Sequence, residues 1–188
     1  MENILNIDVP VQENITARFY KQTNSYLLKW NLIISKTIKR FPSLKKYLLK
    51  FHAKGELVGI DEKHNVICKA GFNALIKRLV GDTTYTGEIN KMLLGTGVGA
   101  TGVNDTQLIT EAYRNDTASG VDSDNIVYLT AFFTEAEVTG TFTEFGNVID
   151  GTASANTGKL WSHLTGLSWV KDGVTSLTID CKYTFASV

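Results

Sequence analysis

The residues Gly97-Val98-Gly99-Ala100-Thr101-Gly102 have the G-x-G-x-x-G spacing with which a backbone can wrap a pyrophosphate, and they follow the apolar run Met92–Leu94. In a dinucleotide site the third glycine opens a helix whose N-terminus holds the phosphates, inside a βαβ unit. Here Asn104-Asp105-Thr106 intervenes and at most one helical turn fits before Glu111. No lysine followed by Ser/Thr is placed to grip a phosphate, and everything downstream reads as strand. The segment is expected to be a long connection between strands, with no cofactor bound.

Other candidates for chemistry are scattered. His52, His64 and His163 form no HxxxH pair and Cys68 and Cys181 no CxxC pair, so the spacing specifies no metal site. A Cys-His nucleophile would need an exposed thiol. Cys181 falls on the apolar face of an expected strand and Cys68 ends a short one, so burial is expected for both. Glu135/Glu137 and Asp122/Asp124 are carboxylate pairs of the type hydrolases use. Asp122-Ser123-Asp124-Asn125 reads as a solvated turn, however, and an enzyme would have to gather Glu135, Glu137, Glu144 or His163 in one pocket. Trp161 and Trp169 lie eight apart on one expected strand, hence on one face, and could stack on sugar rings. Buried tryptophan is the commoner use. No catalytic, cofactor-binding or metal-binding residue is assigned.

The elements that would carry these residues divide the chain in two. Residues 16–41 read as an amphipathic helix, with Phe19, Tyr26, Leu27, Trp30, Ile33, Ile34, Ile38 and Phe41 at three- and four-residue steps. Pro42 suits the start of a second short helix carrying Leu44, Tyr47, Leu48 and Phe51, which Gly55 ends. Glu56–Ile60 and Asn65–Cys68 flank polar turn residues and predict a small hairpin. Ala70–Val80 has helical spacing and stops at Gly81. From about Ile89 onward short β-rich runs alternate with Gly/Asp/Asn/Thr clusters. Ile126–Phe133, nearly all apolar, should be a central strand covered on both faces. Phe142–Val148, Leu160–Val170 and Thr175–Phe185 supply more strands, the last alternating strictly. Asp172-Gly173 predicts a hairpin turn between the last two.

The expected fold is therefore α+β and mainly β: an antiparallel β-sandwich over residues 55–188 with one packed helix at about 70–80. An amphipathic basic helical arm over residues 1–54 precedes it. The chain has 188 residues, 43% of them hydrophobic and 20% charged, enough for one ordinary core. Its formal net charge is zero, yet residues 1–54 carry ten Lys/Arg against three acids and residues 55–188 nine against sixteen. Such a split favours docking of one copy's arm on another copy's body. The arm's cations could grip a phosphate backbone or a membrane surface, but they are interleaved with an apolar face that must be buried first. Helix packing within an oligomer explains both faces, so neither nucleic acid nor membrane is an expected partner. The N-terminus lacks the pattern of a signal peptide, and two isolated cysteines suit synthesis in a reducing cytoplasm.

The segment Leu93-Leu94-Gly95-Thr96-Gly97, then Asn104-Asp105-Thr106-Gln107-Leu108, then Glu111 and Arg114, resembles a pattern of tailed-bacteriophage virion proteins. In these a strand ending in Gly-x-Gly precedes a loop and then Asp-Thr-x-Leu…Glu…Arg. Phe132-Phe133, Thr141-Phe142-Thr143-Glu144-Phe145-Gly146, the upstream Gly71-Phe72-Asn73-Ala74-Leu75 and the last strand, Thr178 to Phe185, are similar to the elements in order. The resemblance covers about residues 55–188 and excludes the basic arm. It implies a non-enzymatic β-sandwich of tail, baseplate, neck or fibre base, made in the host bacterial cytoplasm and packed in the virion against copies of itself and other virion proteins. The missing fibrous extension favours an adaptor or decoration subunit. The alternative is an adhesin or carbohydrate-binding module whose partner is a host surface glycan.

Overall fold

The computed structural model describes residues 11–185. Among these residues ten strands form two five-stranded antiparallel sheets. The strands are β1 (Val11–Lys21), β2 (Glu56–His64), β3 (Val66–Ile67), β4 (Ile89–Gly95), β5 (Glu111–Asp116), β6 (Ser119–Ser123), β7 (Ile126–Phe133), β8 (Gly140–Ile149), β9 (Lys159–Lys171) and β10 (Thr175–Phe185). Sheet A has the order β2-β1-β10-β7-β6 and sheet B the order β3-β9-β8-β4-β5. Helix α1 (Ser25–Arg40) and the short α2 (Lys45–Leu48), flanked by 3-10 turns, lie between β1 and β2, and α3 (Lys69–Leu79) follows β3. The mainly β sandwich with a packed helix is the architecture the sequence pattern requires.

The core lies between the sheets. Period-two alternation turns Leu177, Ile179, Cys181 and Tyr183 of β10 inward, and Thr178, Asp180, Lys182 and Thr184 outward. Met92, Leu94, Phe145, Trp161 and Trp169 of sheet B meet them from the other side. Helix α3 closes on sheet B through Gly71, where a Cβ would collide with the Trp161 backbone, and through Phe72 against the Trp161 ring. Gly81, at φ +82°, terminates it.

Four expectations need correction. The helix predicted from residue 16 begins at Ser25, because residues 11–21 are a strand hydrogen-bonded to both β10 and β2. The N-terminal segment thus puts a strand inside sheet A. Ile15 and Ala17 alternate with Thr16 and Arg18, a period the helical reading overrode by counting Phe19. Asn24 then starts the helix, its Oδ1 accepting from the amides of Tyr26 and Leu27.

The hairpin predicted around residues 61–64 is absent: residues 56–64 are one strand of sheet A, and β3 pairs with β9 in sheet B. Likewise, Asp172-Gly173 makes a turn, but one that carries the chain from sheet B to sheet A rather than closing a hairpin. β7 is not covered on both faces. Leu129, Ala131 and Phe133 are buried inward, whereas on the outer face Tyr128 is exposed and Phe132 is half-buried against the His52 ring at 5.0 Å.

Candidate functional site

The glycine-rich segment joins β4 to β5 and folds back over the outer face of sheet B. Leu108 comes down on Leu93, Val148 and Leu160, which point away from the main core, and Cys68 completes this second apolar cluster. What fastens the loop is Glu144 of β8, whose side chain is fully buried. Its carboxylate accepts the backbone N–H groups of Gly97 at 2.8 Å, Ile109 at 2.9 Å and Thr110 at 2.7 Å. A Cβ on Gly97 would lie 2.6 Å from Glu144 Oε1, so the glycine is needed for the loop to close on the carboxylate. Of the glycine-motif amides, that of Gly97 is directed at the Glu144 carboxyl and that of Gly102 at the Asp105 carboxyl.

His163 of β9 joins the same group. Its Nε2 lies 3.1 Å from Glu144 Oε2 and its Nδ1 2.7 Å from Asp105 Oδ2. The imidazole is thus held between two carboxyl groups, one at each ring nitrogen. Asp105 also accepts from the Gly102 amide at 2.8 Å. Partial burial works to raise the Asp105 carboxyl, but the Gly102 and His163 contacts hold it below its ordinary value. Asp105, Glu144 and His163 therefore clamp both ends of the loop to sheet B.

A second polar group fixes the helical segment. Glu135, after β7, is buried and receives His52 Nε2 at 2.7 Å and Asn31 Nδ2 at 3.0 Å. Asn31 of α1 also exchanges bonds with the backbone of Ala53, donating to its carbonyl at 2.8 Å and accepting from its amide at 2.9 Å. Desolvation opposes ionisation of Glu135, yet the His52 and Asn31 contacts prevail and hold its carboxyl below the usual range. Lys171, almost fully buried alongside, donates to the Val138 carbonyl at 2.9 Å, and desolvation lowers its ammonium to about 8. Glu137 lies apart from Glu135, 3.4 Å from Lys45 Nζ, while Lys45 also bonds Asn115.

A third group lies in the core. Glu13 of β1 faces inward, and Asn147 Nδ2 sits 3.1 Å from its Oε1 and 2.6 Å from Tyr183 Oη. Burial pushes the Glu13 carboxyl up to about 7 against the hydrogen bonds around it. Cys181, beside this group, and Cys68 are both buried free thiols. Burial raises each, Cys68 to about 12 with the charges of Asp105 and Glu13 adding to the effect.

The structure thus brings Glu144 and His163 together and places Glu135 with His52 and Glu137 with Lys45 elsewhere, so the residues an enzyme would gather are split among three contacts. Asp124 lies in the turn between β6 and β7 at φ 54°. Trp161 and Trp169 are both buried, Trp169 donating to Asp61 at 2.8 Å, so they form no sugar-stacking platform. His64 Nδ1 lies 3.3 Å from the Glu13 carbonyl. Among the described residues no three His, Cys, Asp or Glu side chains are arranged to hold a metal, and no helix is long and apolar enough to cross a membrane.

A further surface feature among the described residues is the outer face of the helical segment around α1 and α2. Asn31, Ile34, Ser35 and Ile38 turn inward. Tyr26, at 85% exposure, with Trp30, Ile33, Phe41, Tyr47 and Phe51 turns outward. The Trp30 indole donates to the Phe51 carbonyl at 3.0 Å, which ties the two helical pieces into one surface. Residues 22–54 contain eight Lys/Arg and no acid. Comparison of the chain with family models, with curated protein sequences and with solved structures finds no match in any of the three.

Proposed function

We propose that the chain is a non-enzymatic structural subunit of a tailed-phage virion, acting as an adaptor or decoration protein in the tail, baseplate, neck or capsid surface. The observation that carries the assembly part is the outer helical face. Six large apolar or aromatic side chains stand exposed among cations, on a segment locked to a rigid sandwich by a buried Glu135 contact. Clustered exposed apolar residues mark interaction surfaces. The commitment of the carboxylates and histidines to internal contacts favours a scaffold over a catalyst. The phage attribution itself rests on the ordered sequence resemblance over residues 55–188.

The test is to induce tailed particles from cells carrying the gene, purify them on a density gradient and look for the chain by mass spectrometry. It is expected to sediment with intact particles in a fixed ratio to other virion proteins. Recovery only from the soluble lysate would refute the assignment.

A further inference from the structure

We infer that the outer helical face binds a second copy of this chain, and that its counterpart there is the acidic, apolar edge strand β2. This rests on reading that face as an assembly surface. The charge decides first: two such faces oppose each other, since the segment carries eight cations and no acid, and only Lys45 of these is paired to a carboxylate among the described residues. The counterpart must be acidic and must also offer apolar surface.

β2 offers both. It is the outermost strand of sheet A, and its outer edge pairs with no strand among the described residues. Leu57, Val58 and Ile60 are about half exposed on it, and the exposed Glu56 and Glu62 flank them. Asp61 is occupied by the Trp169 indole and by Lys63, so Glu56 and Glu62 are the acids free to pair. Long exposed apolar edges invite association, and folded proteins commonly cover them with a helix. Val58 is an extra residue opposite the Phe19–Tyr20 step of β1, which bends the edge away from regular strand pairing and favours a helix as its cover.

Connectivity sets the symmetry. Only His52 to Gly55 separate the helical segment from β2, and Gly55 lies directly against the Lys21 backbone. The basic segment therefore leads directly into the acidic edge. A two-fold axis beside them lets each copy's helices cover the other's β2, so both contacts form at once and the assembly closes.

The test is light scattering on the purified full chain. Wild type is expected at about twice the 20.7 kDa chain mass, dissociating more readily as salt is raised. Lys29 stands among Tyr26, Trp30 and Ile33, and Arg40 lies over the Phe41 ring. The pair Glu56→Lys and Glu62→Lys is expected to give monomer, as is the pair Lys29→Glu and Arg40→Glu, and all four together are expected to restore the dimer. That restoration also shows the variants fold. If the Glu56/Glu62 pair leaves the dimer intact while Ile33→Asp abolishes it, the face is an interface but β2 is not its partner, and the inference falls while the assembly reading stands. If wild type is monomeric at its highest soluble concentration, the inference is overturned. If that monomer also binds phosphatidylglycerol vesicles but not phosphatidylcholine ones, the face serves a lipid surface and the assembly reading falls too.

Discussion

Replacing Glu13 by glutamine is expected to stabilise the protein, and by an amount that depends on pH. Glu13 lies between the sheets, its Oε2 without a hydrogen-bond partner among the described residues. Desolvation raises its carboxyl from 4.5 to about 7. The folded state therefore binds this proton more tightly than the unfolded state does. As pH rises from about 4.5 toward 7, unfolded chains lose the proton that folded chains keep, and stability falls through that window. Above it the loss is complete and amounts to about 3 kcal/mol. Glutamine keeps the neutral shape at every pH. In urea unfolding followed by tryptophan fluorescence, parent and Glu13→Gln should agree within about 1 kcal/mol near pH 5, and the variant should lead by about 3 kcal/mol near pH 8. A gap that does not change with pH, or a variant weaker than the parent near pH 8, would refute the reasoning. The first result would mean that the folded carboxyl titrates as the unfolded one does, and the second that Glu13 is ionised and paired in the folded protein.

Three further outcomes follow from the same contacts. Glu144→Gln leaves one acceptor oxygen where two now serve three backbone amides, and sets an amide NH2 against a backbone N–H. It should cost about 2–3 kcal/mol and raise hydrogen exchange at Gly97, Ile109 and Thr110 more than elsewhere; unchanged protection there would count against the clamp. Because the Glu135 carboxyl is held low, its contribution is present above the ordinary carboxylate range and is lost as pH falls through its folded value. Acidification should therefore loosen α1 before the sheets, as read by amide exchange, and Glu135→Gln should already show that loosening at neutral pH. With burial raising both thiols, 5,5′-dithiobis(2-nitrobenzoate) should find no fast-reacting cysteine in the native chain and two after unfolding; a fast native thiol would overturn the burial argument.

The sandwich was legible because β10 alternates strictly and the β-rich runs from about Ile89 onward are separated by turn clusters. β1 was not. Its alternating residues run into α1 through Phe19, which fits both periods, and only the Asn24 cap separates strand from helix. Sheet membership was equally hidden: Asn65 and Asp172-Gly173 are ordinary turn residues, and nothing local says that the chain changes sheets there. The loop clamp could not be read from the glycines, because its partner lies 47 positions from Gly97 and is a single glutamate in a run of strand residues. The one local signal was negative, since the motif lacked the helix it needs in order to hold a phosphate. The Glu135 contact was hidden in the same way, by a separation of 104 positions from Asn31 and 83 from His52.

That contact explains how a segment can be fixed in place and still keep its apolar side chains outside. Had α1 docked by hydrophobic burial alone, Trp30 and Ile33 would be drawn inward, because burying them is the larger gain. Instead the inward face carries Asn31 and Ser35 beside Ile34 and Ile38, and its specificity comes from hydrogen bonds to one buried carboxylate. A buried polar contact adds little net stability compared with an apolar one of the same size, but leaving any member unpaired is costly, so it permits only one orientation. The stripe that turns inward is thus chosen by Asn31, four residues before Ser35, and the more apolar stripe is left to the solvent side. On this argument a leucine at position 31 would not merely weaken the docking. It would make a second rotation of α1, with Trp30 inward, competitive, and the exposed face would lose its shape.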